Sequence, residues 1–123
     1  MNGEFTISLF GKEFGLFGTK GFCLGGGAYD AAIYTMFLFR MVFMDTTATI
    51  PTGPMAERWT MKSFIVHAFF ISGIVYPLYA NWVWGGGWLA KLVTNFGLGH
   101  GHVDFAGSSV VHLTGGMAAW QVR

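Results

Sequence analysis

From Ser63 to Trp84 the chain carries no Asp, Glu, Lys or Arg. An α-helix needs ~20 mostly apolar residues to cross the hydrocarbon core of a bilayer, and this run supplies them. His67 is its one histidine, and Pro77 lies near its far end. Tyr76, Tyr79, Trp82, Trp84 and Trp88 crowd that end, as in the aromatic belt where a membrane helix meets water. A soluble domain this small needs polar side chains over most of its surface. Here charged residues are 11%, against roughly a quarter in soluble domains, while 18% are aromatic and 53% hydrophobic. The expected class is an all-α membrane protein.

Residues 1–27 hold glycines at 3, 11, 15, 18, 21, 25, 26 and 27. Glycine at that density resists a helix, so an irregular loop on a membrane surface is expected. A first helix is expected over 28–55, with its span from Ala28 to about Ile50. Asp30, Arg40 and Asp45 lie in it. Charges inside a bilayer cost about 3 kcal/mol each on insertion scales, so this helix must pack against others or line a wet cavity. Pro51, Gly53 and Pro54 end or kink it. A polar connection through Glu57, Arg58 and Lys62 leads to the second helix, 61–84. Gly85-Gly86-Gly87 opens a second Gly-rich loop, 85–103. The third helix is expected over 104–123, with Asp104 as its N-cap. Gly107, Val111, Gly115 and Ala119 fall four apart on it, a stripe that lets a neighbouring helix approach closely. The chain shows no signal peptide at its start and no stop signal before Arg123, which reads as an internal fragment with about three transmembrane helices. Lys12, Lys20 and Lys91 balance Arg58, Lys62 and Arg123, so loop charge sets no orientation.

Several functions are disfavoured at once. Net charge is +1, with no clustered basic footprint for nucleic acid. Cys23 is the single cysteine; it forms no internal disulfide and reads as a buried or lipid-facing thiol. His100 and His102 flank Gly101, and two loop histidines make a poor metal site where zinc wants three or four ligands, so no metal and no cofactor is expected. No hydrolase elbow, phosphate-binding loop or paired carboxylates is present, and the chain does not read as an enzyme.

Other residues can serve a solute pathway. Asp104, Ser108 and His112 are spaced to share one face of the third helix. His112 can guide a polar solute or relay a proton; spacing alone is equally satisfied by a packing hydrogen bond to a neighbouring helix. Phe39 and Phe43 stand one turn apart, and two phenyl rings there can plug a narrow pore, although ordinary packing explains the spacing as well. The Trp84 indole can hold a small cation or act simply as a belt residue. His67 reads as a packing residue.

The segment Asp104-Phe105-Ala106-Gly107-Ser108-Ser109-Val110-Val111-His112 resembles the signature of the Amt/Mep/Rh ammonium transporters. Three further blocks agree in order: Phe39-Arg40-Met41-Val42-Phe43, Thr49-Ile50-Pro51-Thr52-Gly53-Pro54-Met55-Ala56-Glu57-Arg58, and Asn81-Trp82-Val83-Trp84-Gly85-Gly86-Gly87. The resemblance implies three helices (the third, fourth and start of the fifth) of a fold with about eleven membrane helices. It implies ammonium or ammonia as solute, a homotrimer of the full-length protein, lipid around it, and the plasma membrane as its place. Trp84 and Phe43 would form part of the outer recruitment site, and Phe39 and Phe43 would line the entrance and gate. His112 would be the first of two pore histidines. Asp104 would support the recruitment site by holding backbone and helix geometry. Glu57 and Arg58 would face the cytoplasm.

Arg40 departs from the pattern, standing where the family usually carries an uncharged residue such as Gln. The second pore histidine and a recruitment-site serine are expected on helices beyond Arg123. Two other readings stay open from the sequence: an ammonium sensor with a fused signalling domain, and a non-functional remnant.

Overall fold

The computed structural model describes residues 4–19, 24 and 30–121. Cys23, Lys20, Arg123 and the expected helix start at Ala28 lie outside the described residues.

The first segment departs from its expected irregular loop, while most of the described residues are helical, in keeping with the all-α expectation. Strands β1 (Glu4–Leu9) and β2 (Lys12–Gly18) pair as an antiparallel hairpin. Two features produce it. Phe5, Ile7 and Leu9 alternate with Thr6 and Ser8, the period of a strand. Phe10 and Gly11 both take left-handed φ, 56° and 74°, as the tight turn of a two-residue hairpin loop requires. Glycine density disfavours a helix but leaves a turn open.

The rest is helical. Helix α1 (Ala31–Thr49) starts at Asp30, whose Oδ1 accepts the Ile33 N–H at 2.9 Å, a cap worth about 1 kcal/mol. Thr35, Thr46 and Thr47 turn their hydroxyls back onto carbonyls one turn earlier, so α1 satisfies these polar groups internally. Pro51 ends it, and the short α2 (Thr52–Met55) follows. The expected single helix over 28–55 is thus two, divided at the proline.

Helix α3 runs Met61–Val83, with mean hydropathy 1.6 and 11% of its apolar window buried. Thr60 caps it by accepting the Ser63 N–H. Ile71–Val75 is a π-helical stretch within it. Among the described residues α3 is the single helix long and apolar enough to cross a membrane. A short helix α4 (Leu92–Phe96) interrupts the second Gly-rich loop. The last helix, α5, begins as π-helical Ser108–Leu113 and continues as Thr114–Gln121.

The chain divides into two compact units, Met1–Ala28 with Leu78–Asp104, and Tyr29–Pro77 with Phe105–Arg123. In the first, the Trp82 indole N–H donates to the Leu16 carbonyl at 2.7 Å and the Asn95 amide donates to the Glu13 carbonyl at 3.2 Å. These bonds fasten the hairpin to the end of α3 and to α4. In the second, Val110 and Val111 of α5 and Thr47 of α1 are fully enclosed. A Cβ on Gly115 would stand 2.7 Å from Ile50 Cβ, so the small-residue stripe does allow close approach there.

Candidate functional site

The residues singled out from sequence fall into two clusters, one in each unit. The first is built where α3 stops. Trp84 donates its backbone N–H to the Ala80 carbonyl at 2.8 Å, and three glycines then reverse the chain. Side chains have no room at two of them: a Cβ at Gly85 would lie 2.5 Å from Asn81 Oδ1, and one at Gly87 would lie 2.7 Å from Trp82 Cα. The half-buried Trp84 indole donates Nε1–H to the Asp104 carbonyl oxygen at 2.7 Å. Asp104 is 6% exposed. The bond fixes the plane of the indole and occupies its only donor.

Asp104 does not cap the third helix. The helical turn begins at Ser108, with Gly107 at the cap position in a left-handed conformation, φ 88°. The expected face of Asp104, Ser108 and His112 therefore loses its first member, because Asp104 lies in the extended stretch ahead of the helix. An Asp before an apolar run mimics a cap in sequence, whereas the glycine three residues later sets the start of the helix.

The second cluster gathers around Gly107. The Phe39 and Phe43 rings lie 4.7 Å apart at 47°. Phe43 is half-buried and Phe39 exposed. A Cβ on Gly107 would meet Val111 Cγ2 at 2.7 Å and the Phe43 ring at 3.4 Å. Phe43 thus rests against the first turn of α5. The wide π-helical turn directs the backbone N–H groups of Val111 and His112 to the Gly107 carbonyl, at 3.0 and 2.9 Å. His112 Nδ1 lies 3.2 Å from the same oxygen. A carbonyl oxygen only accepts, so in the neutral imidazole this contact calls for the proton on Nδ1 and leaves Nε2 as an acceptor. His112 itself is exposed. Gly107, rather than Asp104, joins the aromatic pair to the histidine.

Arg40 is half-buried, and its carbonyl accepts the Tyr76 hydroxyl at 3.3 Å, tying α1 to α3. His67 packs edge-on against Trp59 at 5.5 Å, the packing role expected of it. His102 packs on Tyr79 at 6.4 Å while His100 is exposed. Among the described residues no group of His, Cys, Asp or Glu is placed to hold a metal ion.

Comparison with known proteins gives the arrangement its context. The Ammonium Transporter Family model matches residues 5–122. The chain is 42% identical to ammonium transporter Amt2 of Archaeoglobus fulgidus over 85% of its own length and 23% of that protein. Amt1 of the same organism is 38% identical over 96% of the chain and 28% of that protein. Ammonium transporter 1 member 3 of Solanum lycopersicum is 43% identical over 76% of the chain and 20% of that protein. No solved structure gives a significant match. The chain therefore spans about a quarter of the length of these relatives. With a match from the hairpin to the end of α5, the chain belongs to the ammonium transporter family, whose members are integral membrane transporters and not enzymes.

Proposed function

We propose that this chain supplies part of the ammonium pathway of a larger membrane transporter. In this reading α1, α3 and α5 are three of about eleven membrane helices, the whole protein is a homotrimer, and its setting is the cell membrane. The observation that carries the reading is the junction at Gly107, where the Phe43 ring and the His112 imidazole meet one residue of backbone.

Ammonium loses its hydration shell on entering an apolar passage, at large cost. The Trp84 ring offsets part of that cost through its face, and its N–H, bound to Asp104, cannot turn toward the cation to repel it. Phe39 and Phe43 then exclude water as a pair of rings. Beyond them His112 offers an unprotonated Nε2 to an N–H donor, while its Nδ1 proton stays on Gly107. Asp104 serves by position: its carbonyl sets the indole, and its carboxyl need not touch the solute.

The experiment is ammonium-evoked current in vesicles holding the full-length parent protein. Trp84→Leu should weaken apparent affinity, and Phe43→Ala should change the rate. Vesicles holding only residues 1–123 should give no current, since three helices cannot enclose a pore. Current from that short chain, or unchanged behaviour in both variants, would contradict the reading.

A further inference from the structure

The hairpin has an apolar face that the proposed pathway does not use. Register sets Phe5, Ile7 and Leu9 opposite Phe17, Phe14 and Lys12, and residues directly opposite share a face. An irregularity in the ladder between Phe5 and Thr6 inserts Leu16 as an extra residue. That insertion returns Phe17 to the face of Phe14 and Lys12, because a shift of one residue exchanges faces. Thr6, Ser8 and Glu13 take the other face. Phe14 closes on Phe96 of α4 at 5.6 Å, and Lys12 Nζ stands 5.1 Å from the centre of the same ring. Phe5 and Phe17 stack at 5.0 Å yet stay exposed, as do Ile7 and Leu9. At the turn, Phe10 is 99% exposed and holds a φ of 56°. That conformation suits Asn or Gly and strains an aromatic residue, and among the described residues no packing on the Phe10 ring compensates at an exposure so complete.

The attachment of the hairpin indicates what covers this face. The Leu16 carbonyl is held by the Trp82 indole. Trp82 packs edge-on against Tyr79 and Trp88, at 6.2 and 5.7 Å, in the aromatic cluster at the end of α3. Such clusters sit at the headgroup level of a bilayer. The hairpin is thus fastened to the membrane-crossing helix at interfacial depth, with a continuous apolar face and a lysine at its rim. Aromatic rings with a neighbouring lysine are the composition that binds this zone: the rings enter the acyl boundary and the ammonium group reaches phosphate.

We propose that the hairpin is a membrane-interface anchor, with Phe5, Ile7, Leu9, Phe10 and Phe17 in the headgroup–acyl boundary and Lys12 at its rim, over the Phe96 ring. The occupant of the face is lipid. The proposal rests on α3 crossing a bilayer and is independent of the ammonium pathway.

The test uses the full-length parent with its native cysteines replaced, in phosphatidylcholine vesicles. Spin labels are attached through Phe10→Cys or Ser8→Cys. Collision rates are measured with oxygen, which concentrates among acyl chains, and with a water-soluble nickel chelate. At position 10 oxygen access should exceed nickel access; at position 8 the order should reverse. Nickel access dominating at position 10 means a tip in water and overturns the proposal. Exclusion of both reagents means that protein covers the tip, which also overturns it. Should the cysteine-free parent not fold, a photoreactive benzoylphenylalanine in place of Phe10, in the otherwise native parent, gives the same decision. Lipid adducts support the anchor; adducts to protein alone, or none, overturn it.

Discussion

Trp84 and His112 are both aromatic side chains held by a backbone carbonyl, yet the two arrangements differ in what holds the carbonyl. In the first unit a long-range bond, Trp84 Nε1 to the Asp104 oxygen, joins residues at opposite ends of a Gly-rich loop. In the second unit the bond from His112 to Gly107 is local, made within one π-helical turn. The first position depends on the loop closing correctly. The second depends on a backbone conformation that only glycine adopts without strain. The Trp84 position should therefore soften gradually under substitution, whereas the His112 position should fail abruptly.

That contrast can be broken most forcefully at Gly107. Gly107→Ala forces a side chain into left-handed φ and into Val111 Cγ2, with an expected cost of about 2–4 kcal/mol. Thermal unfolding of the parent in detergent should show it, together with loss of transport. Gly115→Ala sharpens the point, because its φ is ordinary and only the contact with Ile50 is violated. Its expected cost is about 1–3 kcal/mol, and a loss equal to that of Gly107→Ala would mean that backbone conformation adds nothing. In the first unit, Trp84→Phe keeps a ring face and removes the donor. About 1–2 kcal/mol of local stability should go, read as a few-fold weaker apparent affinity for ammonium with little change in maximal rate. Tyr76→Phe, which deletes a long bond to the Arg40 carbonyl, should cost about 0.5 kcal/mol and leave transport unchanged.

Legibility in the sequence followed the range of the forces involved. The charge-free run to Trp84 announced α3, because length and polarity are properties of a contiguous segment. Asp30 and Thr60 cap their helices through residues three positions on, again local chemistry, although Asp30 was noted in sequence only as a charge. The hairpin is hidden by its glycines, which break a helix and make a turn equally well; the alternation of Phe5, Ile7 and Leu9 is its signal in the sequence. Asp104 resembles a cap because an acidic residue ahead of an apolar run looks the same whether the helix starts at once or after Gly107. The bond from Trp84 to Asp104 spans the whole second loop, and no spacing rule reaches that far. The π-helical start of α5 was equally invisible, since one extra residue per turn leaves a short apolar pattern unchanged.

The central claim is that His112 stands in an ammonium pathway, with Nδ1 held by Gly107 and Nε2 presented to the solute. The measurement that tests it most directly is ammonium-evoked current from the full-length parent carrying His112→Ala, reconstituted beside the unaltered protein and checked for equal folding and assembly. Removing the acceptor should reduce the current by about tenfold or more, the equivalent of one lost hydrogen bond to a charged group. An unreduced current from a correctly folded variant would show that the solute does not pass this histidine, and the account of the pathway would be wrong.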